Sequence, residues 1–386
     1  MKKLLHLIFL CLPFGITAQS NFTVTTTGTT LQIDNAIDYA TDIWSQYLNS
    51  TIPIKLNVIF TNLGNAGTDG GIDGVCLANI RTNFTGSPNP SLTYLTSLAN
   101  AISGMELNVG ENDMDLYLNS STNWYFGLDG NPASTQVDLV SLVIHEIGHG
   151  LGGFSFAEVE NGLGSFGTFT QEDIPLPTSF PINFEPGAHT IWDDFLANDL
   201  EQHIADSSIF PNQTIELANE IQSNAIYFSG SNATTANGGV HPKIYAPSVW
   251  SLASSMHHFD EDTFPAGSGN ELLTPFSDAG DVIQSPGPVL LGALKDIGWS
   301  INEELGLDKH VIQQAVSIYP NPVNDVLTVK SGEALSKVEF YSIIGQKVKE
   351  INSNFEAIST SSLSSGIYIV KALSDEGSVT KRIVKE

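Results

Sequence analysis

Two spacings of apolar residues alternate in the first third of the chain. From Ile33 to Leu48 apolar side chains recur every three or four residues, which is the spacing of one buried face of an α-helix. From Pro53 to Thr61 they alternate with polar residues, and Met114 to Asn119 repeats the alternation, as in half-buried strands. This part of the chain is therefore predicted to be α+β.

A largely apolar run follows and predicts a second helix. The run extends from Leu139 to Ile144, and Thr135 with Asp138 three residues later resembles a capping box at a helix start. Glycines at positions 150, 152 and 153 supply stop signals. The helix is expected to begin near Asp138 and to end at these glycines.

The end of this helix carries the motif His145-Glu146-Ile-Gly-His149. Two histidines four residues apart lie on one helical face, so both imidazoles can reach one metal ion while Glu146 lies beside a bound water. Zn²⁺ lowers the pKa of such a water towards neutrality, and a neighbouring carboxylate accepts its proton. The alternative is a chance occurrence of the pattern on an ordinary amphipathic helix.

A catalytic zinc site needs a third protein ligand, which must come from further along the chain. The richest downstream cluster is Ser254-Ser-Met-His257-His258-Phe-Asp-Glu261, where either histidine is a candidate. The remaining histidines of this region are isolated and are interpreted as surface or core residues: His189, His203 and His241.

Residues 1–18 are interpreted as a signal peptide. Two lysines precede an apolar core from Leu4 to Leu12, and the small residue Ala18 stands before Gln19. A membrane anchor is the alternative, but the apolar run is far shorter than the roughly 20 residues that span a bilayer, and no other segment reaches that length. The protein is therefore expected to be exported, without a transmembrane segment.

Export leaves Cys76 as the only cysteine after removal of the signal, since the chain has 2 cysteines in all. No intramolecular disulfide is then possible, so a large core or a bound metal must stabilise the fold. Cys76 has no basic flanking residue and is interpreted as a small buried hydrophobe.

The charge distribution divides the chain near residue 308. The net charge is -27, yet residues 19–308 contain only four basic residues, namely Lys55, Arg81, Lys243 and Lys295. Such an acidic surface would repel nucleic acid phosphates, so no nucleic acid partner is expected. It is compatible with bound Ca²⁺, for which the loop Asp69-Gly-Gly-Ile-Asp73-Gly is a candidate; a plain acidic turn is the alternative.

The region from about residue 135 to 300 resembles the leishmanolysin-like metzincin zinc proteases. The resemblance is carried by four motifs: His145-Glu-Ile-Gly-His149-Gly-Leu-Gly152, Ser255-Met-His-His258-Phe-Asp, Asn270-Glu-Leu-Leu-Thr-Pro275 and the segment from Pro286 to Trp299. It implies that His145, His149 and His258 bind zinc, that Glu146 is the general base, and that Glu271-Leu272-Leu273 forms the turn beneath the metal. By analogy with zincins, the strand Met114–Asn119 would lie along the substrate cleft, where a substrate backbone can add to its edge.

The sequence departs from the family pattern in two places. The position where the compact metzincin motif has its third histidine is Ser155, and residues 154–253 form a long insertion, interpreted as a subdomain bordering the cleft. Leu273 stands where the family has methionine, a volume-conserving change expected to cost about 1.5 kcal/mol or less. An alternative third ligand is Glu172, at a distance similar to that in the glutamate-ligand zincins.

A short linker, residues 301–314, leads to a tail with a different pattern. Residues 315–386 contain short alternating strands separated by turns, which predict a small all-β sandwich. Tyr319-Pro-Asn-Pro322, Gly345-Gln-Lys-Val348 and Ser365-Gly-Ile-Tyr368 resemble the type A C-terminal sorting domain of the type IX secretion system of Bacteroidetes. A carbohydrate-binding or spacer sandwich is the alternative.

These resemblances imply a zincin-like α+β domain over residues 19–300, followed by the sorting domain. The function expected is that of a secreted zinc endopeptidase that acts on protein or peptide substrates and reaches the cell surface or medium through the outer-membrane secretion machinery. The alternatives are an inactive zincin-fold surface or adhesion protein, and a zincin with a glutamate as its third ligand.

Overall fold

The computed structural model describes residues 20–64, 72–168, 176–180, 184–302, 316–331, 334–342, 347–374 and 377–386. The signal peptide, Glu172, most of the linker and the first half of the calcium loop lie outside these residues. We call residues 20–302 the body and residues 316–386 the tail. No helix in the described ranges has both the length and the apolar character needed to cross a membrane.

The described helices all belong to the body, and they are α1 Leu31–Tyr47, α2 Thr96–Ser103, α3 Leu139–Gly150, α4 Ile191–Asp194, α5 Ile215–Ile221, α6 Ser231–Ala236 and α7 Gly287–Ile297. Its strands are β1 Phe22–Thr27, β2 Leu48–Asn49, β3 Ile54–Thr61, β4 Gly74–Ala78, β5 Ile80–Thr82, β6 Thr93–Leu95, β7 Met114–Asn119, β8 Trp124–Tyr125, β9 Val137–Asp138, β10 Ala157–Glu160, β11 Leu163–Phe166, β12 Leu196–Asn198, β13 Ile226–Phe228 and β14 Ser300–Ile301. The helix predicted from Ile33 and the strand predicted from Pro53 are confirmed by α1 and β3.

The main sheet of the body has the strand order β1-β3-β7-β4. β1, β3 and β7 are parallel, and β4 runs antiparallel to β7. Leu116 in β7 is therefore paired with Val58 on one side and with Cys76 on the other. All six residues of β7 are buried.

This order corrects one expectation from the sequence. Met114–Asn119 is a strand, but it lies inside the sheet between β3 and β4, and β4 is the edge strand on that side. The alternation of Met114–Asn119 indicates a strand without indicating its neighbours, and the pairing of β4 on its outer side is a long-range contact. A substrate backbone could therefore add to β4 and not to β7.

Helix α3 is fixed to its surroundings by two buried tryptophans. The indole N–H of Trp44 in α1 donates to the carbonyl of Ile144 at 2.9 Å, and that of Trp299 donates to the carbonyl of Leu151 at 2.7 Å. Both tryptophan side chains are buried in the main hydrophobic cluster. Because the two bonds hold positions about two helical turns apart on the same chain segment, they define where the motif helix lies.

The start of α3 differs from the predicted capping box. Asp138 is the N-cap residue itself, and its Oδ2 accepts hydrogen bonds from the Ser141 amide at 3.0 Å and from the Ser141 hydroxyl at 2.6 Å. The side chain of Gln284 donates to the same oxygen at 3.2 Å. The Thr135 carbonyl accepts instead from Asn123, before the helix. The prediction of Asp138 near the start was correct, but its partnership with Thr135 was wrong.

Residues 154–253 extend the core of the body. Side chains from this segment belong to the same hydrophobic cluster as Trp44, among them Phe156, Trp192, Phe228 and Ile244. Helix α6 packs against α7, where the Asp296 carboxylate accepts the amide N–H groups of residues 232 and 233 at 2.9 Å each. The insertion is thus joined to the body by apolar packing and by a carboxylate at a helix start.

The tail is built from strands, as the sequence predicts. They are β15 Val316–Tyr319, β16 Val326–Ser331, β17 Leu335–Ser342, β18 Lys347–Ile351, β19 Ile358–Ser359, β20 Gly366–Ser374 and β21 Gly377–Lys385, with a 3-10 turn at Phe355–Ala357. One sheet has the order β15-β16-β19 and the other β18-β17-β20-β21. Apolar side chains from both sheets form a second hydrophobic cluster, distinct from that of the body.

Glu339 in β17 is the centre of a polar network in the tail. Its Oε1 forms salt bridges with Lys337 at 3.0 Å and Lys347 at 3.1 Å, and its Oε2 accepts from the Tyr341 hydroxyl at 2.7 Å. These hydrogen bonds lower the pKa of Glu339 to about 2, and the bond from Tyr341 has the largest effect. The Glu339 carboxylate therefore binds a proton more weakly in the folded tail than in the unfolded chain, where glutamate has a pKa of about 4.3.

This difference predicts how the tail responds to acid. The stabilisation from ionised Glu339 is complete above about pH 4.3 and is lost as the pH falls towards 2. Amide protection factors of β17, measured by hydrogen exchange on the whole chain, should fall over that range, and Glu339→Gln should weaken the dependence. Identical profiles in the two proteins would contradict the role given to this carboxylate.

Candidate metal centre

Three imidazoles from two chain segments meet above the end of α3. His145 and His149 lie one turn apart on the helix, and His258 reaches them from a loop 109 residues after His149. The Nε2 of His149 is 3.1 Å from the Nε2 atoms of both His145 and His258, and those two are 3.3 Å apart. Among the described residues, these three side chains form a group of donors close enough together to hold one metal ion.

The opposite nitrogen of each ring is held by a backbone carbonyl. His145 Nδ1 lies 2.6 Å from the carbonyl oxygen of Leu272, His149 Nδ1 lies 2.6 Å from that of Gly153, and His258 Nδ1 lies 2.8 Å from that of Ser254. A carbonyl oxygen can only accept, so we assign the proton of each ring to Nδ1. In a neutral imidazole Nε2 is then an unprotonated acceptor.

Burial keeps the three rings neutral. It lowers the pKa of His145, and it lowers those of His149 and His258 well below the usual range, with repulsion from the neighbouring imidazoles adding to the effect. Neutral imidazole is the form that binds metal ions. Three lone pairs therefore point at one another with no proton among them, an arrangement that a cation would stabilise.

The spacing of the three Nε2 atoms fits a zinc ion. With Zn–N bonds of about 2.0–2.1 Å and tetrahedral angles, adjacent ligand nitrogens are about 3.3 Å apart. The observed separations are 3.1 to 3.3 Å. Three neutral nitrogen donors also leave a fourth tetrahedral position for water or substrate, as in catalytic zinc sites.

Glu146 lies next to the trio and is buried, with 6% of its surface exposed. Burial raises the pKa of its carboxyl to about 8, and a hydrogen bond from the backbone of Cys76 acts in the opposite direction. Cys76 belongs to the edge strand β4 and is itself buried, as predicted. The carboxyl group is thus placed between the motif helix and β4, which is an edge strand of the sheet in the described part of the chain.

His257 lies beside the trio but is not part of it. Its Nδ1 accepts the amide N–H of Ser155 at 3.1 Å, and burial lowers its pKa to about 4. The residues alone did not decide which of the two adjacent histidines is the third ligand. The structure brings only His258 to the site. Ser155 is fully buried and contributes a backbone contact, not a ligand.

The turn that contains Leu272 and Leu273 packs beneath α3. Leu272 provides the carbonyl that orients His145, and Leu273 is fully buried. A Cβ placed on Gly148 would lie 3.4 Å from Leu273, and one on Gly153 would lie 2.7 Å from it. The side chain of Leu273 therefore fills the space between α3 and the loop that follows it, and it has no polar atom to offer a metal.

The other candidates are placed elsewhere. His203 Nδ1 donates to the Asp194 carbonyl, and His241 contacts Thr234 and Glu201. His189 lies 3.9 Å from Asp194. None of these three histidines joins the convergent group.

Two further candidates fall wholly or partly outside the described residues. Glu172 is one, and the calcium loop is the other. The described end of that loop includes Asp73, whose carboxylate accepts from the Thr122 hydroxyl. The calcium site stays a prediction.

A cavity of about 230 Å³ lies near the start of α3, and none of the three imidazoles lines it. Its lining includes Glu271, the neighbour of Leu272, and Ile283, whose amide donates to Ser141 one turn before His145. The cavity also carries the carboxylates of residues 261, 278 and 281. Its surface is therefore acidic, as is the body in general.

Two family models match parts of the chain. One, described as a secretion system C-terminal sorting domain, matches residues 317–386, and the other, described as SPBPB7E8-like, matches residues 16–163. No curated protein matches the chain. The tail is a type IX sorting domain, and the protein is exported to the cell surface or the extracellular space.

These matches support the expected sorting domain and do not test the expected protease activity. The sorting domain agrees with the resemblance of the tail and assigns it to recognition by the secretion machinery. The SPBPB7E8-like match includes His145, Glu146 and His149, but its description states no reaction, and neither match covers residues 164–316, where His258 lies. Protease activity therefore stands as a proposal from the geometry.

Sequence reasoning missed the groups that aim the imidazoles. These are the backbone oxygens of Gly153, Ser254 and Leu272, together with the amide of Ser155. A backbone atom has no signature in the sequence, because every residue carries one. Only the glycine stop signal after the helix hinted at an irregular loop there.

The approach of α3 to the sheet depends on Gly150. A Cβ at this position would lie 2.4 Å from Met114 Sδ and 3.0 Å from Cys76 Sγ. Helix propensity alone favours alanine over glycine by up to about 1 kcal/mol. Overpacking of a dense core costs about 1–3 kcal/mol, so the contact is expected to outweigh the propensity.

We therefore predict that Gly150→Ala lowers the free energy of unfolding, measured by denaturant titration. Met114→Val combined with Gly150→Ala should be less destabilised than the sum of the two single variants, because the valine removes the sulfur that the new methyl group meets. A more stable Gly150→Ala protein would show that the helix does not press on β7 as described.

Proposed function

We propose that the protein is a secreted zinc endopeptidase. The observation that carries the proposal is the convergence of three unprotonated Nε2 atoms beside a buried carboxyl group, that of Glu146. This is the donor set of a catalytic zinc site with one open position. Export of the protein agrees with an enzyme that acts on proteins outside the cell.

His145, His149 and His258 would hold the ion through Nε2, each oriented by the carbonyl bonded to its Nδ1. When bound, zinc would polarise a substrate carbonyl and lower the pKa of a water molecule. In its ionised form, Glu146 would take the proton of that water and deliver it to the leaving amine. The free edge of β4, next to Glu146, would bind the substrate backbone by strand addition.

The assignment to a family is part of the proposal. Three features support a zincin domain of the leishmanolysin-like metzincin kind: helix α3, the turn at Leu272 and Leu273, and the late ligand His258. The packing of this turn beneath α3 supports the proposal that Leu273 takes the place of the family's methionine. The type A class of the sorting domain is supported by the motifs of the tail, including Tyr319-Pro-Asn-Pro322. The substrate class proposed is protein or peptide.

Two alternatives are less well supported. An inactive surface or adhesion protein of this fold would have no need to retain Glu146 together with three convergent imidazoles. A zincin with Glu172 as its third ligand is not required, because His258 completes the set of three protein ligands. The ligand test below distinguishes the second alternative.

The first test concerns the general base. Glu146→Gln should retain zinc, because the three ligands are intact, and should lose at least about 100-fold in peptide hydrolysis, because the proton acceptor is gone. Metal content and turnover of an unfolded protein substrate would be measured on the same sample. Glu160→Gln, a change at an exposed glutamate, is the matched control. Hydrolysis at the native rate by Glu146→Gln would refute the proposed mechanism.

The second test concerns the third ligand. His258→Ala should reduce zinc affinity by more than about 100-fold, since loss of a direct ligand exceeds the effect of removing an outer partner. His203→Ala, which removes a histidine outside the trio, should leave zinc stoichiometry unchanged in dialysis followed by metal analysis. If Glu172→Ala lost metal while His258→Ala kept it, the glutamate-ligand alternative would be correct.

A further inference from the structure

His257 is buried next to the metal centre without being able to reach it. Its exposed fraction is 4%, its ring lies 4.7 Å from that of Phe154, and its Nδ1 accepts the Ser155 amide at 3.1 Å. Because Nδ1 accepts, the proton of the neutral ring is on Nε2. The proposed mechanism gives this residue no role.

The Ser155–His257 hydrogen bond joins the two loops that aim the metal ligands. Gly153, two residues before Ser155, supplies the carbonyl that holds His149. Ser254, three residues before His257, supplies the carbonyl that holds His258. The bond connects segments 102 residues apart, and each end lies within three residues of an orienting carbonyl.

The loop after Gly153 depends on side chains for its backbone hydrogen bonds. The amide of Ser155 donates to His257, and the next amide, that of Phe156, donates to the Asp193 carboxylate at 3.0 Å. Neither amide is paired in a sheet ladder before β10 begins at Ala157. Since Ser155 is fully buried, no water can replace His257 as the acceptor without rearrangement of the loop.

We propose that His257 is a positioning residue of the metal centre: its Nδ1 fixes the loop at Ser155 against the loop at Ser254, so that the carbonyls of Gly153 and Ser254 direct His149 and His258 at the ion. The position that lacks a ligand, Ser155, thus acts through its backbone. This inference rests on the proposed function only in that the trio binds a metal.

The test compares two substitutions that differ in whether they keep a hydrogen-bond acceptor at the position of Nδ1. His257→Asn keeps an acceptor on the atom bonded to Cγ, where Nδ1 stood, and His257→Leu places a methyl group there. Affinity for Co²⁺ or Zn²⁺ would be measured by competition with a chelator, and the visible absorption of bound Co²⁺ would report the ligand geometry. Thermal unfolding of the metal-free proteins would be recorded in parallel.

We expect His257→Leu to bind Co²⁺ about 10–100-fold more weakly than the native protein, with an altered spectrum, which is the range for loss of an outer orienting partner. His257→Asn should stay within about 3-fold of the native affinity by the same reasoning. If the leucine variant does not fold, His257→Gln replaces it, because its carboxamide lies one bond further out and should show the same loss.

Native affinity and a native spectrum in the leucine variant would overturn the inference, and so would an asparagine variant as weak as the leucine one. Those outcomes leave the proposed function standing if the native protein binds one metal ion per chain. Failure of the native protein to bind Co²⁺ or Zn²⁺ would overturn both.

Discussion

The candidate site depends on three hydrogen bonds from imidazole Nδ1 atoms to backbone carbonyls. They fix the tautomer and the direction of each ring, so that three acceptor nitrogens face one point. The carbonyls come from three different turns, at Leu272, Gly153 and Ser254, and none lies in a regular helix or strand. The site therefore requires the loops to be placed as accurately as α3, which explains the buried contacts concentrated around it.

The local part of this arrangement could be predicted. The apolar run before His145 and the glycines after His149 indicate the helix correctly within a residue or two, and helical spacing alone places the two histidines on one face. Strand β3 and helix α1 were likewise visible in their periodicity. In each case the signal is a spacing between residues a few positions apart, and the secondary structure alone determines how such residues lie relative to one another.

The long-range part could not be predicted from residues alone. His257 and His258 are adjacent and chemically identical, and only the path of the loop sends one to the trio and the other to the Ser155 amide. Resemblance to a protease family favoured His258, while periodicity and composition gave no preference. The prediction that Met114–Asn119 is an edge strand was wrong for the same reason. The segment Gly74–Ala78 pairs with the outer side of β7 through contacts between residues some 40 positions apart.

The two hydrophobic clusters show how the chain separates export from the candidate chemistry. The tail encloses its own small core, and the side chains around the three imidazoles belong to the cluster of the body. The insertion adds aromatic residues to the cluster of the body, and the indole N–H of Trp192 donates to the carbonyl of Met256, two residues before His258. The described part of the insertion between His149 and His258 therefore contributes to the site. Its aromatic residues and the Trp192 hydrogen bond hold the loop of the third imidazole in place.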